Sequence, residues 1–163
     1  MKNLKWTLTR NLPKQLNNGS LEQAVLTFVK QTQKYGQGID PKGQFLQILN
    51  YITSACVKTH DGSGGDFWLS LDEKGDVNAF ALAHFDTQID NRLTYVVTHG
   101  WFREDMRDVR ELKNGWRILE DHARQQLARH ITLVTDRNSV VFNRILGDTW
   151  HPYVTILKKD LEE

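Results

Sequence analysis

Three apolar segments separated by short turns occupy the middle of the chain and most constrain its fold. The segments are Phe67–Leu71, Val77–Phe85 and Leu93–His99. Asp72–Asp76 and Asp86–Asn91 separate them, and the Asp, Gly and Asn of these stretches are residues that turns favour. Strands joined by such short connections run antiparallel. The sequence therefore predicts a three-stranded antiparallel meander.

The pattern after the meander changes from strand to helix spacing. A long helix is predicted within Val109–Arg129. Its inner face is predicted to carry Trp116, Leu119, Ala123 and Leu127. The continuous apolar run Ile131–Thr135 then predicts a strand buried on both faces, which is typical of parallel pairing. The third meander strand, the helix and this strand together predict a βαβ crossover.

A strand and two helices are predicted before the meander. Leu4–Arg10 alternates and indicates a strand. A helix is predicted to open at Ser20, with Ser20 and Gln23 forming a capping box, and to end near Gly36 and Gly38. The second helix is predicted to start at Asp40-Pro41, an acidic cap followed by proline.

Two short elements are predicted at the carboxyl end, a helix over Ser139–Leu146 and a strand over Tyr153–Leu157. The full order is β-α-α-β-β-β-α-β-α-β. The predicted fold class is therefore α/β (α+β), a mixed sheet with an antiparallel meander and one crossover. No composition shift or repeat interrupts it, so residues 1–163 are expected to form one domain.

Composition narrows the classes of function. Lysine and arginine (21) almost cancel aspartate and glutamate (20), and the net charge of +1 argues against a nucleic-acid or anionic-membrane partner. The single cysteine, Cys56, excludes a disulfide framework and a zinc site built from thiolates. No window reaches the roughly 20 apolar residues of a membrane span, and the first residues do not read as a signal peptide. A cytoplasmic protein is expected.

The order and spacing of elements, from about residue 4 to residue 159, resemble the GNAT superfamily of acyl-CoA-dependent N-acyltransferases. The family has Arg or Gln, two residues, Gly, one residue, then Gly or Ala at the start of its long helix. Arg110–Gly115 stands at that place, with Lys113 where the first glycine is expected. The resemblance implies acetyl-CoA as co-substrate, its diphosphate held by backbone amides near Lys113–Gly115. It implies these cofactor-binding residues: Val97, Thr98, Arg110, Lys113, Asn114, Gly115, Trp116 and Asn138.

Two features near this motif have alternative interpretations. Lys113 offers a cation to a phosphate or blocks the site, and Gly115 alternatively just begins a surface helix. The ten or so residues between His99 and Val109 predict an extended loop lying over the site. Within it, Trp101 and Phe102 cover a substrate groove or plug the core beneath.

The catalytic candidates are residues that can take or give a proton. His84, Asp86 and His99 lie at strand ends and are candidate bases, since histidine titrates near neutrality. His84 and Asp86 also share a strand face, as two metal ligands would, but no third ligand accompanies them and no metal site is predicted. Many family members use a tyrosine on the helix after the buried strand to protonate the leaving thiolate. That segment has no tyrosine here, and Asn143 or Ile145 takes its place.

The resemblance therefore implies transfer of an acetyl or acyl group from acyl-CoA to an amine of a small molecule or a protein. The lysine at the first glycine position of the motif and the missing tyrosine also fit a second interpretation. That is a GNAT-like domain that has lost catalysis and binds another protein, of the kind found among bacterial and phage accessory proteins. A third is an unrelated α/β binding protein. The sequence is compatible with a homodimer.

Overall fold

The computed structural model describes residues 4–33, 40–56, 65–87, 91–133 and 139–147. In chain order its elements are β1 (Thr7–Leu8), α1 (Asn18–Gln33), α2 (Pro41–Cys56), β2 (Asp66–Leu71), β3 (Val77–Thr87), β4 (Leu93–Phe102), a 3-10 turn (Glu104–Met106), α3 (Val109–Gln125), β5 (His130–Leu133) and α4 (Ser139–Leu146). The predicted order is confirmed up to α4. The predicted last strand, Tyr153–Leu157, and the glycines at 36 and 38 lie outside the described residues.

One mixed sheet, ordered β1-β2-β3-β4-β5, organises the described part of the chain. The pairings from β1 to β4 are antiparallel, and β4 pairs with β5 in parallel. The predicted meander and the parallel strand after the long helix are therefore confirmed. The short turn at Asp72–Asp76 closes with a bond from the Asp72 N–H to the Asp76 carbonyl.

Helices cover both faces of the sheet. The face under α1 and α2 buries a cluster that includes Val25, Ile52, Phe67, Phe80, Leu82 and Trp101. The face under α3 buries a second cluster that includes Trp68, Ala83, Tyr95, Val97, Trp116 and Leu119. The alternation along each strand produces this division, because successive side chains point to opposite faces.

Different contacts fix the amino-terminal ends of α1 and α2. Asp40 caps α2 as predicted, its carboxylate accepting from the N–H groups of Lys42 (3.1 Å) and Gly43 (2.9 Å). The capping box in α1 is wrong, because Ser20 lies inside the helix. Its hydroxyl instead accepts from the Val77 N–H at 2.8 Å and fastens α1 to the start of β3.

The first strand is shorter than predicted. The β1–β2 ladder contains Thr7 and Leu8, against the expected Leu4–Arg10, and the Thr9 N–H adds one bond to the Phe67 carbonyl at 2.7 Å. The N–H of Leu4 donates to the buried carboxylate of Glu111 on α3 at 3.0 Å. The chain leaves the sheet on that side to reach α3, and this ends the strand.

The region between β4 and α3 corrects the predicted loop. β4 continues to Phe102, so Trp101 and Phe102 belong to a strand rather than to a loop over the site. Trp101 is 7% exposed and stacks on Phe80 with ring centroids 5.9 Å apart. Trp101 therefore fills the core, as one of the two alternatives predicted. The connection between β4 and α3 is Arg103–Asp108, which is shorter than predicted.

Two predictions on the α3 side are also wrong. Leu127 is not on the inner face of the helix, since α3 ends at Gln125 and Leu127 has a φ of 62° and 81% exposure. The described strand β5 is half-buried along its length rather than enclosed on both faces. Residues 134 and 135 of the predicted strand lie outside the described ranges.

Candidate functional site

A β-bulge interrupts the pairing of β3 and β4 at Thr98. Leu82 pairs with His99 and Ala83 pairs with Val97, so Thr98 is the extra residue on β4. A bulge leaves its extra residue outside the regular ladder and bends the strand. Parallel pairing of β4 with β5 is recorded from Thr94 to Val97, so the bulge directly follows the last paired residue of β4 in the described chain. Here Val97 faces α3, whereas His99 faces α1 and α2.

Tyr51 on α2 reaches this part of the sheet. Its hydroxyl donates to the Ala83 carbonyl at 3.0 Å and lies 3.1 Å from Nδ1 of His84. A phenol has one proton to donate. With that proton on the Ala83 carbonyl, Nδ1 of His84 carries the hydrogen of its own bond to the Tyr51 oxygen.

His99 is held in the same way by Thr98. The Thr98 hydroxyl donates to the Leu82 carbonyl at 3.2 Å, and His99 Nδ1 lies 2.9 Å from that hydroxyl oxygen. With the hydroxyl proton on the Leu82 carbonyl, Nδ1 of His99 donates to the Thr98 oxygen. In this arrangement both histidines, when neutral, have the lone pair on Nε2.

The pKa values of His99 and Tyr51 suit proton transfer. Burial lowers the pKa of His99, whose ring lies edge-on to Phe28 with centroids 5.5 Å apart. A histidine so placed is neutral at physiological pH and can act as a base. Burial, with the Asp66 carboxylate adding to it and the Thr98 hydroxyl opposing it, raises the pKa of Tyr51 to about 12. The phenol stays protonated and keeps its bond to Ala83.

The cluster of Tyr51, His84, Thr98 and His99 is called here the bulge cluster. Sequence reasoning picked out His84, Thr98 and His99 but missed Tyr51. Its only signal was position, since Tyr51 lies three residues after buried Ile48 and thus on the inward side of α2.

The other catalytic candidates lie elsewhere. Asp86 is exposed at the far end of β3, where its carboxylate accepts from the Thr87 N–H at 2.8 Å. Asn143 lies on α4, which packs beside α3, and α3 covers the opposite face of the sheet from the histidines. Among the described residues, no group of three or more His, Cys, Asp or Glu is placed to hold a metal ion.

The predicted cofactor motif is not a loop. Arg110, Lys113 and Asn114 are exposed, and Gly115 and Trp116 are buried, all inside α3, which begins at Val109. Within an α-helix each N–H bonds to the carbonyl four residues earlier. The amides of Lys113–Gly115 therefore serve the helix in this structure, and their binding of a diphosphate stays a prediction. Asn138, the last of the predicted cofactor residues, lies outside the described ranges.

Gly115 has a packing role instead. A Cβ at this position would lie 2.9 Å from Nε1 of Trp6. The glycine lets the indole of Trp6 lie directly on the helix backbone. Gly115 lies inside α3 and, contrary to the alternative interpretation, does not begin the helix.

Behind the bulge cluster lies a buried ionic network centred on Asp66. One carboxylate oxygen pairs with Arg10 at 2.6 Å. The other accepts from the Tyr95 hydroxyl and from Nε2 of His122, both at 2.9 Å. Trp68 donates to the Tyr95 oxygen at 2.9 Å. The network connects the end of β1, β2, β4 and α3.

Several solved acetyltransferase structures share the fold of this chain. The sequence matches no protein-family model and no curated protein. A Pyrococcus furiosus protein assigned as an acetyl transferase aligns with a TM-score of 0.65 at 12% identity, over 96% of this chain and 100% of that chain. Glucosamine-6-phosphate N-acetyltransferase from Arabidopsis thaliana aligns with a TM-score of 0.60 at 12% identity, over 98% of this chain and 100% of that chain.

A GNAT family acetyltransferase of Staphylococcus aureus aligns with a TM-score of 0.58 at 12% identity, over 98% of this chain and 100% of that chain. Sequence identities this low establish a similarity of fold and nothing more. The chain has the GNAT fold, as the order of its elements predicted. No helix within the described ranges is long and apolar enough to cross a membrane.

Proposed function

We propose that this protein is an acyltransferase that moves an acyl group from a thioester to an amine. The observation that carries the proposal is the bulge cluster. There, two histidines are hydrogen-bonded through Nδ1, His84 to Tyr51 and His99 to Thr98, beside the bulge in β4. The GNAT fold supports the same reaction class, because its solved examples include the acetyltransferases above.

The chemistry needs a base, a polarised carbonyl and a proton for the leaving group. The amine arrives as an ammonium ion and gives one proton to a histidine Nε2. Its nitrogen then forms a bond to the thioester carbon, and the carbon–sulfur bond breaks. The departing thiolate takes a proton and leaves as a thiol. One further proton goes to solvent, and the products are an amide and a thiol.

Each member of the bulge cluster has a separate role in this proposal. His99 is the candidate base, because its lowered pKa keeps it neutral. His84 is the second acceptor, and Tyr51 positions it through Nδ1. A backbone N–H released from the ladder at Thr98 would polarise the thioester carbonyl.

The substrates follow from the reaction class. Acetyl-CoA is the donor that the fold suggests, and the acceptor is an amine of a small molecule or of a protein. The near-neutral net charge of +1 gives no reason to place the acceptor on a polyanion.

The test measures thiol release from acetyl-CoA and from S-acetyl-pantetheine against a panel of polyamines, amino sugars and lysine peptides. We expect the wild type to release thiol with at least one amine. His99→Gln should lower kcat by about 100-fold, within the range for loss of a general base. The exposed-surface control Asp121→Asn should keep the wild-type rate. Absence of release with every amine, together with unchanged melting at millimolar donor, would refute the proposal.

A second candidate function, a GNAT-like domain without catalysis that binds a protein, has one observation in its favour. Asp108 caps α3 through its own carboxylate, which accepts from the Arg110 N–H at 2.8 Å at the helix end where an anion would bind. The thiol-release assay separates the two functions, since a binding module would release none.

A further inference from the structure

The connection between β4 and α3 does not fit a diphosphate. In the GNAT fold this connection is the expected place for the diphosphate of coenzyme A, and here it is Arg103–Asp108. It contains no glycine, and a 3-10 turn at Glu104–Met106 fills half of it. Met106 is buried against Leu4 and Ala79, which anchors the turn to the core.

Three carboxylates lie in this connection. Asp108 accepts the N–H of Arg110, one of the few donors that the first turn of α3 offers. Glu104 and Asp105 are exposed in the preceding turn. A diphosphate placed here would meet three like charges and would compete with an internal anion for the helix end.

The cations of the same segment are largely engaged. Arg103 donates through Nε to Asp105 at 2.7 Å and through a terminal nitrogen to Asp72 at 3.2 Å. The hydrogen bond with Asp105, followed by that with Asp72, raises the pKa of Arg103. Arg107 donates to the Phe102 carbonyl at 3.2 Å.

Over residues 103–113 the formal charges cancel. Arg103, Arg107, Arg110 and Lys113 are balanced by Glu104, Asp105, Asp108 and Glu111. A segment without net charge, and with its helix end capped, attracts a nucleotide diphosphate weakly.

We infer that this protein recognises its acyl donor through the pantetheine–thioester arm and gains little from the nucleotide. The inference rests on the proposed function and concerns the same site, since the bulge cluster acts on the thioester end. The donor class is a pantetheine thioester, of which acetyl-CoA is one member. The adenosine diphosphate part then stays near solvent.

The experiment compares two donors and their two thiols on the full chain. We expect kcat/KM for S-acetyl-pantetheine to lie within about tenfold of the value for acetyl-CoA. Calorimetric dissociation constants of pantetheine and coenzyme A should agree within the same factor. A preference for acetyl-CoA of about 100-fold or more, in rate or in affinity, would overturn the inference while leaving the proposed function intact.

Charge variants test the reason for the weak diphosphate binding. Asp108→Asn keeps a good capping side chain and removes the charge. It should tighten coenzyme A by about fivefold, or about 1 kcal/mol, and leave pantetheine unchanged. Asp121→Asn removes an exposed carboxylate on the same helix, roughly 20 Å further along, and should change neither.

Two further outcomes would also overturn the inference. If Asp108→Asn tightens both thiols equally, or neither, the carboxylate does not oppose the diphosphate and the inference fails. If no thioester reacts and no thiol binds, the proposed function fails and this inference fails with it.

Discussion

The hydroxyl of Tyr51 connects two groups that no sequence pattern would associate. It donates to Ala83 and accepts from His84, which lies 33 residues away along the chain. In the proposed reaction Tyr51 would act indirectly, by determining which ring nitrogen of His84 carries the hydrogen. A residue that acts through another has a measurable signature, because its removal matters only while the second residue is present.

We therefore expect Tyr51→Phe to lower kcat by about tenfold, since a neutral His84 would no longer be fixed with its lone pair on Nε2. The cost in stability should be about 1 kcal/mol for the lost hydrogen bonds. Steady-state kinetics of Tyr51→Phe, His84→Gln and the double variant measure the coupling. The double variant should be no slower than His84→Gln alone. Multiplying penalties would show that Tyr51 acts independently of His84.

His99 predicts how stability depends on pH. Burial lowers its folded pKa below the ordinary value of 6.5, so the unfolded chain binds this proton more readily. Stability contributed by neutral His99 is complete well above pH 6.5. It falls as the pH drops through 6.5 and stops falling below the folded pKa.

The measurement is the urea midpoint at pH 8.0 and pH 5.5 for wild type and His99→Gln. Glutamine has no titrating proton, so the variant should lose less stability between the two pH values than the wild type. Equal losses would show that His99 is not the group responsible. The slope m should stay constant, which confirms that only stability changed.

At the scale of elements, Gly115 lets α3 pack closely against Trp6. Gly115→Leu should destabilise the protein by about 2 kcal/mol, since the side chain would displace the indole of Trp6. Asn114→Leu is the matched control on the same turn, where the side chain is exposed and the change should stay within about 0.5 kcal/mol.

A second substitution tests the mechanism of that loss. Trp6→Ala removes the indole that the leucine would strike, so the two changes should cost less together than their sum. Thermal or urea unfolding of the four proteins measures this. If Gly115→Leu leaves stability unchanged and only weakens coenzyme A binding, the motif is a ligand loop after all.

The elements themselves were largely readable from the sequence, and the errors have local physical causes. The predicted strand ends at His99, three residues before the end of β4, because Gly100 weakens the strand pattern. The bulge at Thr98 also shifts the alternation by one residue, so that Trp101 falls on the α1 and α2 face. Ser20 matched a capping box, yet its hydroxyl found a tertiary partner in Val77. Such long-range bonds leave no local trace.

At the scale of the whole molecule, order and spacing predicted the GNAT fold although identities to the solved structures are near 12%. The fold depends on the spacing of apolar residues and on the residue types at turns. Both persist when most other residues of a sequence have changed. The site does not follow in the same way. Its histidines were visible, but their tautomers depend on hydroxyl partners on other strands and helices, and the capped end of α3 depends on where the helix begins.

The Asp66 network connects elements from both halves of the described chain and should carry a large share of its cooperativity. Asp66 is 2% exposed and receives Arg10, Tyr95 and His122. Burial and the Asp66 carboxylate raise the pKa of Tyr95, so the phenol remains a donor to it. Asp66→Asn keeps the shape but replaces an acceptor oxygen with an amide that faces donors.

We expect Asp66→Asn to lower the free energy of unfolding by about 3 kcal/mol, the low end for breaking a buried ion pair. Asp121→Asn breaks an exposed pair with Arg124 and should cost about 0.5 kcal/mol or less. Urea unfolding followed by tryptophan fluorescence measures both. Because the network connects β1, β2, β4 and α3, the loss should appear as one cooperative shift of the midpoint. A separate early transition confined to β1 would show instead that Asp66 fastens only the amino-terminal segment.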